Sequence, residues 1–149
     1  ITNFKEYYRL AEYFSNYTQE KIVLTMGVNN LVEIFDEKYY NHLSGGILEA
    51  FGKLFYKNLR IFLYPMKNKK TGEIINSNNL HVASRMKNLY KFFKFNNKII
   101  DIFGFDKTLL DIYSIKVLKM IKEDQKGWEK MLPKKVTSLI KEKKLFGYN

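Results

Sequence analysis

Ile22-Val23-Leu24-Thr25-Met26-Gly27-Val28-Asn29-Asn30-Leu31 is the stretch on which the reading of the whole chain turns. Ile22 to Met26 is a short apolar, β-branched run, and Gly27 ends it. A continuous run of this kind, rather than an alternating one, predicts a buried strand of a parallel sheet covered on both faces. Asn29 or Asn30 is placed to cap the helix that follows, whose Leu31, Ile34 and Phe35 form one face. A glycine directly after a buried strand lets a ligand come close to the backbone, and α/β folds place ligands at the carboxyl ends of parallel strands. A plain helix cap is the alternative for the same residues.

Before this stretch, Phe4, Tyr7, Tyr8, Ala11 and Phe14 recur at helical spacing and predict a helix over 4–17. After it, Ser44-Gly45-Gly46 opens a second helix with Ile47, Leu48, Phe51, Leu54 and Phe55 along its apolar face. Leu59 to Tyr64 reads as a second strand, stopped by Pro65. The polar residues 67–79, with Thr71-Gly72 among them, predict a surface loop or hairpin. Residues 84–95 read as a helix with Met86, Leu89, Tyr90 and Phe93 on one face and Lys87, Lys91, Lys94 and Lys98 as a basic stripe beside it. Residues 99–106 are expected to be a loop and Leu109 to Ile112 a last short strand. Ser114 then caps a helix through Ile115, Leu118 and Ile121, broken at Gly127-Trp128. Pro133 opens a final helix lined by Val136, Leu139 and Ile140. Strands alternating with helices predict one α/β domain over 1–149, built on a small parallel sheet flanked by helices.

Composition narrows the function classes. Hydrophobic residues make up 46% and aromatics 16%, which supports a packed core and argues against disorder. No apolar run approaches the roughly 20 residues of a membrane helix. Ile1-Thr2-Asn3-Phe4-Lys5-Glu6 lacks the features of a secretory signal. The chain has no cysteine, which excludes disulfides, thiolate metal sites and cysteine nucleophiles and fits a reducing, cytoplasmic setting. The net charge of +11 is uneven. Residues 1–60 carry 7 basic and 7 acidic side chains, whereas 61–149 carry 19 basic and 8 acidic. Such a surface attracts a nucleotide's phosphates, RNA or an acidic protein. The same lysines also fit solvated helix faces and an A/T-rich coding sequence.

Three further segments bear on chemistry. Lys38-Tyr39-Tyr40 offers an aromatic face for a base, or packing. In Ile112-Tyr113-Ser114-Ile115-Lys116-Val117-Leu118 a strand runs into a helix start, which suits phosphate, with Ser114 adding a hydroxyl and Lys116 a charge. A capping serine and a solvated lysine are the alternative. The carboxylate pairs Asp36-Glu37 and Glu123-Asp124 are sequence neighbours that point apart on a helix, so neither is an acid/base pair. No P-loop, zinc pattern or hydrolase triad is present, and no catalytic residue is identified.

Taken in order, these segments resemble the C-terminal half of the nicotinamide/nicotinate mononucleotide adenylyltransferases of the nucleotidyltransferase superfamily. In that family a strand leads into Gly-Ala-Asp-x-Leu and a tryptophan-bearing helix region, where this chain has Gly27-Val28-Asn29-Asn30-Leu31 and Phe35-Asp36-Glu37-Lys38-Tyr39-Tyr40. A later Ile-Ser-Ser-Thr-x-Ile/Val-Arg motif corresponds to Ile112-Tyr113-Ser114-Ile115-Lys116-Val117-Leu118. The closing pattern corresponds to Trp128-Glu129-Lys130-Met131-Leu132-Pro133, Val136, Ile140 and Leu145-Phe146. The resemblance implies a Rossmann-like, nucleotidyltransferase-like fold acting in NAD biosynthesis. It implies ATP and Mg²⁺, with Gly27, Asn29 and Tyr40 on the mononucleotide and Ser114 and Lys116 at the ATP phosphates. The two loops would then meet on one rim of the sheet. The departures are Asn29 for aspartate, a tyrosine for the tryptophan, and Ile115 and Leu118 for the phosphate-binding threonine and arginine. The family's His-x-Gly-His motif, which belongs to its N-terminal half, has no counterpart in this chain, so that half is expected upstream or on a partner chain. The alternative is a non-catalytic basic subunit of the same fold that binds RNA or an acidic partner.

Overall fold

The computed structural model describes residues 4–148; Ile1, Thr2 and Asn3 of the starting segment lie outside the described residues. The chain divides into two compact units, Ile1–Gly104 and Phe105–Asn149. The first is a mixed α/β unit. Helix α1 (Tyr7–Ser15) precedes strand β1 (Val23–Gly27), which runs without a gap into α2 (Val28–Ile34). Helix α3 (Gly46–Leu54) leads to β2 (Arg60–Tyr64), and the hairpin β3 (Met66–Lys67) and β4 (Ile74–Ile75) follows. Helix α4 (Lys87–Phe95) then returns to β5 (Ile99–Asp101). β1, β2 and β5 form a parallel sheet in that order, with Leu24 beside Ile61 and Ile61 beside Ile99. The polar segment after Pro65 is the expected hairpin, with Met66 opposite Ile75.

Register decides which side chains meet the helices. Leu24 and Met26 of β1, Ile61 and Leu63 of β2, and Ile99 of β5 share one face, because side chains alternate along a strand. They join one core with Leu31 and Ile34 of α2, Phe51 and Leu54 of α3, and Tyr90 and Phe93 of α4. Phe51 is the hub, with its ring edge-on to Phe35 at 4.8 Å and to Phe93 at 5.2 Å. The opposite face is different: Val23 and Thr25 are exposed, and Phe62, Tyr64 and Ile100 are half-buried. The expected burial of β1 on both faces is therefore corrected. β1 is an edge strand, and an apolar run alone does not reveal which strand lies outermost.

Helix ends are set by backbone and local polar groups. Asn29 and Asn30 lie inside α2; the cap is Gly27, which has no side chain to bond, so the expected asparagine cap is not formed. In α3 the Glu49 carboxylate accepts from Gly45 N–H at 3.0 Å and pairs with Lys53 at 3.0 Å. Those two partners, the N–H foremost, hold the Glu49 carboxyl below its ordinary value. At the end of α4, Asn97 takes a left-handed conformation (φ 52°) and Lys98 N–H bonds to Phe93 O. This tight reversal makes Ile99 the start of β5, where a loop was expected.

The second unit is helical. A 3-10 turn (Lys107–Asp111) stands where Leu109 to Ile112 predicts a strand. The Asp106 carboxylate accepts from Thr108 N–H at 2.8 Å and from Thr108 Oγ1 at 2.7 Å, and so winds the turn. Helix α5 (Ser114–Lys122) follows, then a 3-10 turn (Trp128–Met131), α6 (Lys134–Glu142) and a last 3-10 turn (Leu145–Gly147). Ser114 is the first helical residue rather than the cap, which is Tyr113. α5 ends at Lys122, ahead of the break expected at Gly127-Trp128: Asp124 takes a left-handed conformation (φ 49°) and Gln125 N–H bonds to Met120 O, whereas Gly127 (φ 101°) leads into the 3-10 turn at Trp128. Val117, Met120, Ile121, Trp128 and Ile140 form this unit's core.

Candidate functional site

Three strands end at the carboxyl rim of the first unit's sheet, at Gly27, Tyr64 and Asp101. Gly27 has φ −82° and ψ 168°, and a Cβ built there would meet nothing within 4 Å. The space in front of this turn is open. Asn29 is exposed one residue into α2, and the Asn30 amide donates to the Tyr7 hydroxyl at 3.0 Å. Gly27 and Asn29 thus stand together at the head of α2.

Tyr40 is placed at the other end of that helix. It is buried, and its hydroxyl donates to Ile34 O, the last residue of α2, at 2.8 Å. Burial pushes the Tyr40 hydroxyl well above the ordinary tyrosine value. Its neighbour Tyr39 is the one with an exposed ring, and the Lys38 ammonium sits 4.8 Å from that ring's centre. Asp36 organises the segment by accepting from Lys38 N–H at 3.2 Å and pairing with Lys38 Nζ at 2.7 Å. Hydrogen bonding to Lys38 lowers the Asp36 carboxyl and raises the Lys38 ammonium. Tyr39 and Tyr40 line a cleft of about 280 Å³ with Lys5, Tyr7, Glu33 and Ile34. Within Lys38-Tyr39-Tyr40, sequence does not distinguish the exposed ring from the buried one, because the 3-10 turn over Glu37–Tyr40 sends them in different directions.

At the third rim position, Asp101 is committed to the fold. Its carboxylate accepts from Ser77 N–H at 2.9 Å and from Ser77 Oγ at 2.7 Å. The Ser77 carbonyl in turn accepts from Tyr90 Oη at 2.7 Å and Lys94 Nζ at 3.0 Å. Burial, and secondarily the Asp101 charge, push the Tyr90 hydroxyl up to about 12. This network ties the hairpin segment to β5 and α4. Ser77 and Asp101 are 24 residues apart, so no local pattern connects them.

Ser114 and Lys116 lie in the second unit, exposed on the first turn of α5. The first helical bond there is Val117 N–H to Tyr113 O, so the N–H groups of Ser114, Ile115 and Lys116 precede it. A nine-residue helix with an uncapped start of this kind favours an anion. Of the basic stripe, Lys94 also donates to Asn78 Oδ1 at 2.6 Å, and Lys98 donates to Phe55 O and Lys57 O at 3.4 and 3.1 Å. Lys87 and Lys91 remain exposed on α4. No group of three or more His, Asp or Glu side chains converges among the described residues. No described helix is long and apolar enough to cross a membrane.

Placed beside known proteins, the chain matches no protein-family model, no curated protein and no solved structure.

Proposed function

We propose that this chain is a nucleotide-binding α/β domain of the mononucleotide adenylyltransferase kind. The reaction implied joins ATP and nicotinamide or nicotinate mononucleotide into a dinucleotide and releases pyrophosphate. One observation carries the reading: the first strand of a sequentially ordered parallel sheet passes directly into a helix at Gly27, with open space before that glycine. Parallel sheets bind ligands outside the carboxyl ends of their strands. Gly27 and Asn29 would meet the mononucleotide, with Asn29 as a neutral amide in place of the family's aspartate. Ser114 and Lys116 would face phosphate at the start of α5. Tyr40, whose hydroxyl is spent on Ile34, would act only through packing, which leaves the exposed Tyr39 ring as the aromatic surface for a base.

The same reading makes transfer slow in this chain alone. Phosphoryl and nucleotidyl transfer depend on positioning and charge stabilisation. Leu118 supplies no bidentate donor where the family has arginine, and a lysine does not reproduce that geometry. Titration calorimetry with nicotinamide mononucleotide, and separately with ATP, tests the binding. Saturable binding of the mononucleotide is expected, with dinucleotide formation slow or absent. No heat of binding up to millimolar mononucleotide would remove the proposal.

A second reading has its own observation. Among the described residues, no carboxylate pairs with Lys116, Lys122, Lys134, Lys135, Lys143 or Lys144. A basic, non-catalytic domain that holds RNA or an acidic protein would use such lysines. RNA binding that weakens steeply with salt would support it, because each phosphate contact releases counterions.

A further inference from the structure

The second unit carries an apolar groove of about 460 Å³ whose walls come from α5, α6 and the chain beside them. Ile112, Ile115 and Leu118 form one wall; Leu132, Val136 and Phe146 form the other. Ile112 and Leu132 are half-buried against the unit's core, but the others open to solvent: Ile115 is 83% exposed, Phe146 57% and Val136 42%. The buried core side chains Val117, Ile121 and Ile140 form the floor beneath them. Two helices with apolar faces turned to a common groove accept a third amphipathic helix, through side chains at i, i+3, i+4 and i+7.

The charge around the groove selects the occupant. Lys122 follows Leu118 by four residues on α5 and so flanks the same side of that helix, whereas Lys119 pairs with Glu123 at 3.7 Å. The Lys122 stem reaches the far end of the groove, where its Cγ is 3.5 Å from the Cβ position of Gly147, next to Phe146. On the other wall, Lys135 precedes Val136, and Lys143 lies just past α6, seven residues after Val136. Residues 105–149 hold 11 basic and 6 acidic side chains, so a second copy of this chain would bring like charge to the groove. RNA would find walls that are alkyl apart from the single ring of Phe146, where it needs several stacking rings and phosphate donors on the groove floor. We propose that the groove receives an acidic amphipathic helix of a partner protein, with apolar residues along the groove floor and Asp or Glu residues against Lys122, Lys135 and Lys143. The inference deepens the second reading by naming its partner chemistry, and it does not depend on nucleotide binding.

The test uses the full chain and a fluorescein-labelled, helix-forming peptide with Leu at i, i+3, i+4 and i+7 and Glu on the remaining faces. A peptide of the same composition in scrambled order is the control. Saturable anisotropy is expected for the amphipathic peptide, with affinity about tenfold or more above the scrambled one. Ile115→Glu, at an exposed position, should weaken binding about tenfold or more. The double variant Lys122→Glu/Lys143→Glu should weaken it and flatten its salt dependence. Emission of Trp128, the chain's single tryptophan and a core residue of this unit, verifies that each variant is folded. Equal affinity for both peptides would reduce the groove to a charged surface and overturn the proposal. Self-association abolished by Ile115→Glu would overturn it in favour of a second copy. A uridine oligomer that binds and loses affinity on Ile115→Glu would overturn it in favour of RNA. RNA binding that fails while the peptide still binds would remove only the RNA half of the second reading.

Discussion

Gly27 and Tyr90 separate binding from folding at the level of single residues. The extended conformation of Gly27 suits any residue, and nothing crowds its Cβ position, so the fold does not require glycine there. Gly27→Ala should leave stability unchanged or raise it by about 0.4–1 kcal/mol, through a less flexible unfolded chain. The same methyl would occupy the space proposed for the mononucleotide and lower its affinity. Thermal unfolding and ligand titration on one preparation check both, and an unaltered affinity would move the ligand away from this turn. Tyr90 is the converse case. Burial raises its hydroxyl from 10.0 to about 12, so the folded protein holds the phenol proton more tightly than the unfolded chain does. The resulting stability is fully present below pH 10 and is lost as pH rises from 10 through about 12. Tyr90→Phe should cost about 1–2 kcal/mol at neutral pH, because the Ser77 carbonyl loses a donor. The variant should also lose less stability than the parent between pH 10 and 12, as followed by circular dichroism in urea.

At the level of elements, the lysines beside α4 divide into two kinds. Lys94 anchors the Ser77 segment, and Lys98 donates to carbonyls just past the end of α3. A cation at a helix C-terminus is stabilising, so Lys94→Met and Lys98→Met should each lower stability by about 1 kcal/mol. Lys87→Met and Lys91→Met should leave the urea midpoint unchanged. If the stripe contacts a polyanion, only these latter two substitutions should reduce the salt dependence of binding. In the second unit, α6 is tied to the Trp128 turn by Lys141 Nζ on Glu129 at 2.9 Å. That bond, with backbone donors behind it, keeps the Glu129 carboxyl below its ordinary 4.5. A carboxyl lowered on folding supports the fold above 4.5 and ceases to as pH falls past its folded value. Trp128 emission should therefore shift as pH falls below 4.5, and Glu129→Gln should abolish that part of the shift. Most helices are legible from spacing alone: Ile47, Phe51 and Leu54, or Tyr90 and Phe93, already mark a buried face. Two short elements are not. Ile99–Asp101 is a strand because β2 offers it an open edge, whereas Lys107–Asp111 is a turn because Asp106 captures Thr108.

For the molecule as a whole, the buried side chains gather in two clusters, one in each compact unit. The first unit contains the sheet and its own buried cluster around Phe51, Ile61 and Leu63. Residues 4–104 should therefore unfold cooperatively when expressed alone, and Leu63→Ala, at the centre of β2, should cost about 2–5 kcal/mol in that fragment. A non-cooperative urea transition for the fragment would show that its core is insufficient. Composition, helical periodicity and the strand-turn-helix at Ile22 to Leu31 were enough to define an α/β chain with a parallel sheet, because those signals come from neighbouring residues. Tertiary structure alone decided that β1 lies at an edge, that Tyr40 is buried while Tyr39 is exposed, that Asp101 serves Ser77, and that Ile115 and Val136 line an open groove. Each of these depends on which residues distant in sequence meet in space, and local propensity carries no record of that.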